Sequence, residues 1–130
     1  MQRFENKIAL ITGGAGAIGT ACGLRLAQEG AQVVLADLKF ADPEKILSQF
    51  SEGKTPVLET IDVRQPQEWA DLMQSIVAQF GALDVLVNNA GLISPKPAPF
   101  DELELDEWRR IFSVNVDGAL LGMQNAMRVM

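Results

Sequence analysis

Histidine is absent from this 130-residue chain, and cysteine occurs once, at Cys22. Without histidine neither a Cys/His metal site nor a Ser/His/Asp triad can be assembled, and a lone thiol forms no internal disulfide. Zinc-centred and triad-hydrolase chemistries fall away, and no metal ligand set is expected. Positive charge is scarce: eleven Lys and Arg stand against seventeen Asp and Glu, a net charge of -6. That field repels a phosphate polymer or an anionic membrane, so nucleic acid is not an expected partner. Long hydrophobic runs are missing too. The opening MQRFENKIALIT meets its Thr-Gly-Gly too soon for a signal peptide, and no later stretch reaches membrane-spanning length. These features predict a cytoplasmic protein with no membrane contact.

What remains is enough for one folded domain over residues 1–130, with 48% hydrophobic and 22% charged residues arguing against disorder. Four short apolar runs, Ile8 to Ile11, Val33 to Ala36, Val57 to Ile61 and Leu83 to Val87, alternate with helical patterns. Such alternation predicts βαβ units and a parallel sheet covered on both faces. Trp69, Leu72, Met73, Ile76 and Phe80 share one helical face, and Gly81 supplies a stop. Further helices are expected from Ile18 to Glu29, from about Pro43 to Phe50, and from about Asp106 to the last residue, Met130, as one unbroken helix.

The first strand runs into Thr12-Gly13-Gly14-Ala15-Gly16-Ala17-Ile18-Gly19, glycines that open a helix. A pyrophosphate needs unshielded backbone N–H groups at a helix start, and Gly19 lets that helix pack closely on the strand. The local positive end of a helix serves this purpose whatever the net charge. Asp37 ends the second strand, at the spacing expected of an acid that accepts hydrogen bonds from an adenosine ribose. A glycine turn alone is weak evidence, and an Asp at a strand end often only caps a turn. Together they favour a bound dinucleotide, NAD.

Leu83-Asp84-Val85-Leu86-Val87-Asn88-Asn89-Ala90-Gly91 is more specific. It resembles the fourth-strand signature of the short-chain dehydrogenase/reductases. The resemblance extends over the whole chain through the glycine turn, Asp37, Asp62-Val63 and Ser113-Val114-Asn115-Val116. It implies a doubly wound parallel α/β sheet of Rossmann type, strand order 3-2-1-4, truncated after the fourth strand and its helix. It further implies that Gly13, Gly16, Ile18 and Gly19 line the pyrophosphate, Asp37 the ribose, and Asp62 and Val63 the adenine. Asn88, Ala90 and Gly91 would tie the strand to the cofactor wall, and Asn115 would be the active-site asparagine. The common form of the family has glycine where this chain has Ala17.

The family resemblance also implies a Tyr-x-x-x-Lys pair with an upstream Ser, where the tyrosine exchanges a proton with the substrate oxygen. This chain has no tyrosine. The expectation is therefore an NAD-dependent oxidoreductase whose complete form moves a hydride between NAD(H) and a secondary alcohol or ketone. The 130 residues alone are expected to be inactive, with an apolar last helix that joins a homo-oligomer at full length. A non-catalytic NAD-binding or interaction module ending at Met130 is the alternative. A methyltransferase with a similar sheet leaves Asn88 to Gly91 without a role.

Overall fold

The computed structural model describes residues 1–130. Four parallel strands, β1 (Ile8–Thr12), β2 (Gln32–Asp37), β3 (Val57–Thr60) and β4 (Val85–Val87), form one sheet in the order β3-β2-β1-β4. This is the expected Rossmann-type order, with β1 central and β4 on an edge. The helices are α1 (Ala17–Gln28), α2 (Pro43–Leu47), α3 (Pro66–Phe80), α4 (Leu105–Phe112) and α5 (Gly118–Met127). None is long and apolar enough to cross a membrane.

Strand β1 is buried along its whole length because successive side chains enter opposite cores. Ile8 and Leu10 join Val34, Ala36, Ile61, Trp69, Met73 and Ile76 beneath α3 and α5. Ala9 and Ile11 join Ala27, Val33, Leu35, Ile46 and Phe50 beneath α1 and α2. Pairing with β2 (Ala9 opposite Val33, Thr12 opposite Ala36) and with β4 (Ala9 opposite Val85) fixes the register on both sides.

Thr12 closes the β1 end with one hydroxyl. Its Oγ1 accepts from the N–H groups of Asn89 (3.1 Å) and Ala90 (3.0 Å), which stitches the turn after β4 to the turn after β1. Trp69 does similar service below the sheet. It is fully buried, and its indole N–H donates to the Val63 carbonyl at 2.9 Å, holding the turn after β3 from inside the core.

Helix α1 and strands β1 and β2 differ from the sequence expectation by a residue at an end, and other elements differ as follows. Helix α2 stops at Leu47 rather than Phe50, because the Ser48 hydroxyl (2.9 Å) and Gln49 amide (3.2 Å) both donate to the Lys45 carbonyl and compete with the helical ladder. Strand β3 ends at Thr60, although the Ile61 N–H still bonds the Asp37 carbonyl. Strand β4 begins at Val85 instead of Leu83, since the Asp84 carboxylate accepts from the Ile8 N–H where a strand carbonyl would. The last helix is not unbroken: a π turn, Ser113–Asp117, separates α4 from α5. Beyond it Gly118 and Gly122 press against Val63 and Trp69, where a Cβ would come within 2.7 and 2.8 Å of those side chains. The wide turn lets the helix reach that contact while Val114 packs on the same core and lines the groove.

Two outcomes follow from these contacts. Trp69→Ala empties the core beneath α3 and should destabilise the fold by about 3–5 kcal/mol in urea unfolding; a loss under about 1 kcal/mol would contradict the packing. Thr12→Val strands the Ala90 N–H, while the Asn89 N–H keeps the Val87 carbonyl at 3.0 Å, and should cost about 1–3 kcal/mol, whereas Thr12→Ser, which keeps the hydroxyl, should cost less than the valine change.

Candidate active site and dinucleotide groove

At the carboxyl ends of the strands lies a groove of about 620 Å³, bounded by the glycine turn, the ends of β2 and β3, and the segment after β4. Crevices of this kind, where strand order reverses, are where open α/β sheets take ligands.

The floor is the start of α1. Thr20 is the first residue of the helix whose N–H finds a helical acceptor, the Gly16 carbonyl at 2.9 Å; those of Ala17, Ile18 and Gly19 find none in the chain. No side chain caps this end, and no acidic residue stands in its first turn. Free donors at the positive end of a helix dipole make an anion site. The glycines divide their duties. Gly19 is buried and a Cβ there would overlap the Gly13 carbonyl oxygen, so its role is close packing of helix on turn. A Cβ at Gly16 would meet nothing nearer than 3.4 Å, so protein packing does not demand glycine there. Its bareness keeps the groove open for a ligand.

Asp37 stands on the next wall. Its Oδ2 accepts from the Ala15 N–H (2.9 Å) and its Oδ1 from the Leu38 N–H (2.7 Å), so the carboxylate is oriented toward the glycine turn with lone pairs to spare. Leu38 lines the groove, while Lys39 is exposed and does not.

The turn after β3 adds Asp62, Val63 and Arg64. Asp62 accepts from the Arg64 side chain through Nε (2.9 Å) and Nη2 (2.6 Å). The Arg64 guanidinium holds the Asp62 carboxyl below the usual carboxylate range, against the opposing effect of burial. Across the groove, Arg110 pairs with Glu107 at 2.8 Å through both Nε and Nη2 and draws that carboxyl down to about 2. Both acids are thus ionised throughout the neutral range.

Of the residues singled out in the sequence, Gly13, Gly16, Ile18, Asp37, Asp62, Val63, Ala90 and Gly91 line this one groove. Three do not. Gly19 lies beneath it. Asn88 turns away and donates from Nδ2 to the Ala119 carbonyl (3.1 Å), so it ties β4 to α5 rather than to the groove wall. Asn115, in the π turn, holds the chain after Gly91 from both sides: Oδ1 accepts from the Leu92 N–H (2.8 Å) and Nδ2 donates to the Leu92 carbonyl (2.9 Å). Asn89, which the sequence reading passed over, lines the groove and donates from Nδ2 to the Thr12 (3.0 Å) and Gly13 (3.3 Å) carbonyls. Its place between two singled-out residues was the available signal. Arg64, Arg110, Leu92 and Val114 were missed too; Arg64, Leu92 and Val114 lie within two residues of singled-out positions, and Arg110 had no local hint. Ala17, where the family has glycine, contributes its methyl to the wall.

The groove thus brings together free backbone donors at α1, the oriented Asp37 carboxylate, and the Asp62 carboxylate beside a turn. It has no histidine or tyrosine to exchange a proton near neutral pH.

Comparison with known proteins agrees with this geometry. The family model for short chain dehydrogenases matches residues 7–130. The chain is 36% identical to cis-4-hydroxycyclohexanecarboxylate dehydrogenase of Sinomonas cyclohexanicum, over 99% of this chain and 51% of that protein. It is 33% identical to the 3-alpha-(or 20-beta)-hydroxysteroid dehydrogenase of Mycobacterium bovis, over 98% of this chain and 48% of that protein. The solved structure of NAD+-bound xylitol dehydrogenase superimposes with a TM-score of 0.87 at 33% identity, over 98% of this chain and 49% of that one. The chain spans about half the length of these relatives. With the family model matching residues 7–130, the chain belongs to the short-chain dehydrogenase/reductase family of oxidoreductases.

Proposed function

We propose that this chain is the NAD-binding half of an oxidoreductase that moves a hydride between NAD(H) and a secondary alcohol or its ketone. The observation that carries the choice of NAD is Asp37, an oriented carboxylate on the groove wall with Leu38 beside it and the Lys39 side chain elsewhere. Two ribose hydroxyls can donate to that carboxylate. A 2′-phosphate would set about two negative charges against it, and each unit pair near 4 Å is worth roughly 1 to 4 kcal/mol depending on screening.

The residues fit the group: open N–H donors at Ala17 and Ile18, the bare face at Gly16, and two oriented carboxylate acceptors at Asp37 and Asp62. Gly13, Gly16, Ile18 and Gly19 form the seat for the pyrophosphate, Gly19 by allowing the close approach of helix and turn. Asp37 holds the ribose, Asp62 and Val63 the adenine, and Asn89, Ala90 and Gly91 the wall toward the nicotinamide; Asn88 supports that wall through α5. NAD, when bound, supplies the hydride acceptor. Asn115 is assigned to the active site, where it fixes the Leu92 backbone next to the reacting region.

An acid/base must sit within hydrogen-bond reach of the substrate oxygen, and no residue of the groove has the required chemistry. The tyrosine and lysine that serve the family are assigned to sequence outside these 130 residues. The relatives' printed names include cyclohexane-ring and steroid alcohols, and a secondary alcohol of small-molecule size is the substrate class proposed here. The cytoplasm is the proposed location. The exposed stripe Trp108, Phe112, Leu120, Met123 and Met127 is assigned to a subunit contact. The alternative, a non-catalytic NAD-binding module, keeps every binding role and lacks the proton donor.

Two measurements test the reading. In the intact protein NAD should bind at least roughly fivefold more tightly than NADP, and Asp37→Ser with Leu38→Arg should reverse the order. Equal or tighter NADP binding by the unmodified protein would overturn the assignment. The 130-residue chain by itself should form no NADH from any alcohol above background, since loss of a general acid/base alone removes about two to four powers of ten in rate. Turnover by this chain, purified free of host enzymes, would sink the division between binding half and catalytic half.

A further inference from the structure

We infer that Arg64 positions the Asp62 carboxylate to select the base of the bound dinucleotide, making it a specificity-determining residue of this chain. The inference rests on the reading that the groove takes a nicotinamide dinucleotide with its purine at residues 62–63.

Four contacts join Arg64 to Asp62. The backbone N–H of Arg64 donates to Oδ1 at 3.0 Å, Nε to Oδ1 at 2.9 Å and Oδ2 at 3.2 Å, and Nη2 to Oδ2 at 2.6 Å. A carboxylate has about four lone-pair positions. The arginine therefore fills Oδ1, shares Oδ2, and leaves about one acceptor position free. The fork geometry also fixes the plane of the carboxylate, which a lysine ammonium, as a point charge, does not.

Arg64 has no competing partner. Glu107, the acid on the opposite wall, is taken up by both Nε and Nη2 of Arg110, and the like charges of Arg110 and Arg64 repel. Glu68 is engaged with the Asp62 N–H at 2.6 Å. Loss of the Arg64 side chain would leave only the residue-64 backbone N–H on Oδ1 and release Oδ2 from the fork that fixes the plane of the Asp62 carboxylate.

Next to this fixed acceptor, the Val63 N–H makes no hydrogen bond within the chain. An ionised acceptor followed by a free donor matches a purine edge bearing an amine beside an unprotonated ring nitrogen. A 6-oxo purine presents the reverse, a carbonyl oxygen beside a ring N–H. Its oxygen would face a carboxylate that Arg64 prevents from turning away, and two polar groups would be left unpaired, the situation in which binding sites discriminate most strongly.

The test compares NAD with nicotinamide hypoxanthine dinucleotide, binding each to the intact protein by calorimetry. The unmodified protein should prefer NAD by about tenfold or more. Arg64→Ala should lower that ratio at least about threefold, chiefly by relieving the penalty on the 6-oxo base, and Arg64→Lys should lower it as well. In an Asp62→Ala background, Arg64→Ala should leave the ratio where the first substitution put it, because the arginine acts through the aspartate. Arg64→Gln, which keeps most of the side chain, gives the same reading should the alanine variant not fold. An unchanged ratio in Arg64→Ala, or equal weakening of both dinucleotides, overturns the inference while leaving the NAD reading intact. Failure of the unmodified protein to bind either dinucleotide overturns the NAD reading, and this inference with it.

Discussion

Strand β1 is hydrogen-bonded on both sides and covered on both faces, so its end is the least movable point in the molecule. The groove is built outward from there. Thr12 terminates the strand with its side chain already committed to Asn89 and Ala90, and the Gly14 N–H is committed to the Ala36 carbonyl. The glycine turn is thereby tied to β4 on one side and β2 on the other before any ligand arrives. Gly19 then brings α1 against that turn, which aims the unpaired N–H groups of its first residues into the space between. A binding seat made of backbone donors is only as accurate as the backbone is rigid. Here the rigidity comes from burial of β1 rather than from side chains of the site itself.

The same logic lets a chain with net charge -6 present free donors at one end of its groove. The donors at α1 are backbone dipoles, unaffected by the surplus of carboxylates, and no acid stands in the first turn of the helix. The two acids that do face the groove are oriented by neighbours: Asp37 by the Ala15 and Leu38 N–H groups, Asp62 by Arg64. Each is held where a hydroxyl or an amine can donate to it. The Asp37 carboxylate stands against the glycine turn through the Ala15 N–H, and its charge there serves as an acceptor.

Period and spacing carried much of this into the sequence. Continuous apolar runs announced strands covered on both faces, the 3.6-residue pattern from Trp69 to Phe80 announced α3, and the glycine turn with Asp37 announced the groove. Other features were invisible for identifiable reasons. Asn88 and Asn89 are neighbours of one residue type, and a strand end points them in opposite directions, one to α5 and one to the glycine turn. No composition rule says which goes where. The halt of α2 at Leu47 depends on two side chains competing for a single carbonyl. Arg64 and Arg110 look like solvated charges until tertiary folding brings α4 across from the turn after β3.

The π turn was the least legible element, since Ser113 to Asp117 fits an ordinary helical period. Its cause lies in what the helix must touch. Arg110 ahead of the turn and Val114 within it line the groove; after it, Gly118 and Gly122 lie close on Val63 and Trp69, where a side chain would collide. A helix of constant pitch cannot satisfy both sets of contacts, and one widened turn re-phases it. Asn115 sits in that turn, and both of its amide atoms are spent on the Leu92 backbone. The distortion thus fastens the chain after Gly91 to a helix that is itself anchored on the core through Trp69. Through Trp69 the anchor continues to the Val63 carbonyl. The two ends of the groove, the turn at residues 62–64 and the segment after Gly91, are in this way referred to one buried indole, so a shift of that ring would move both walls together.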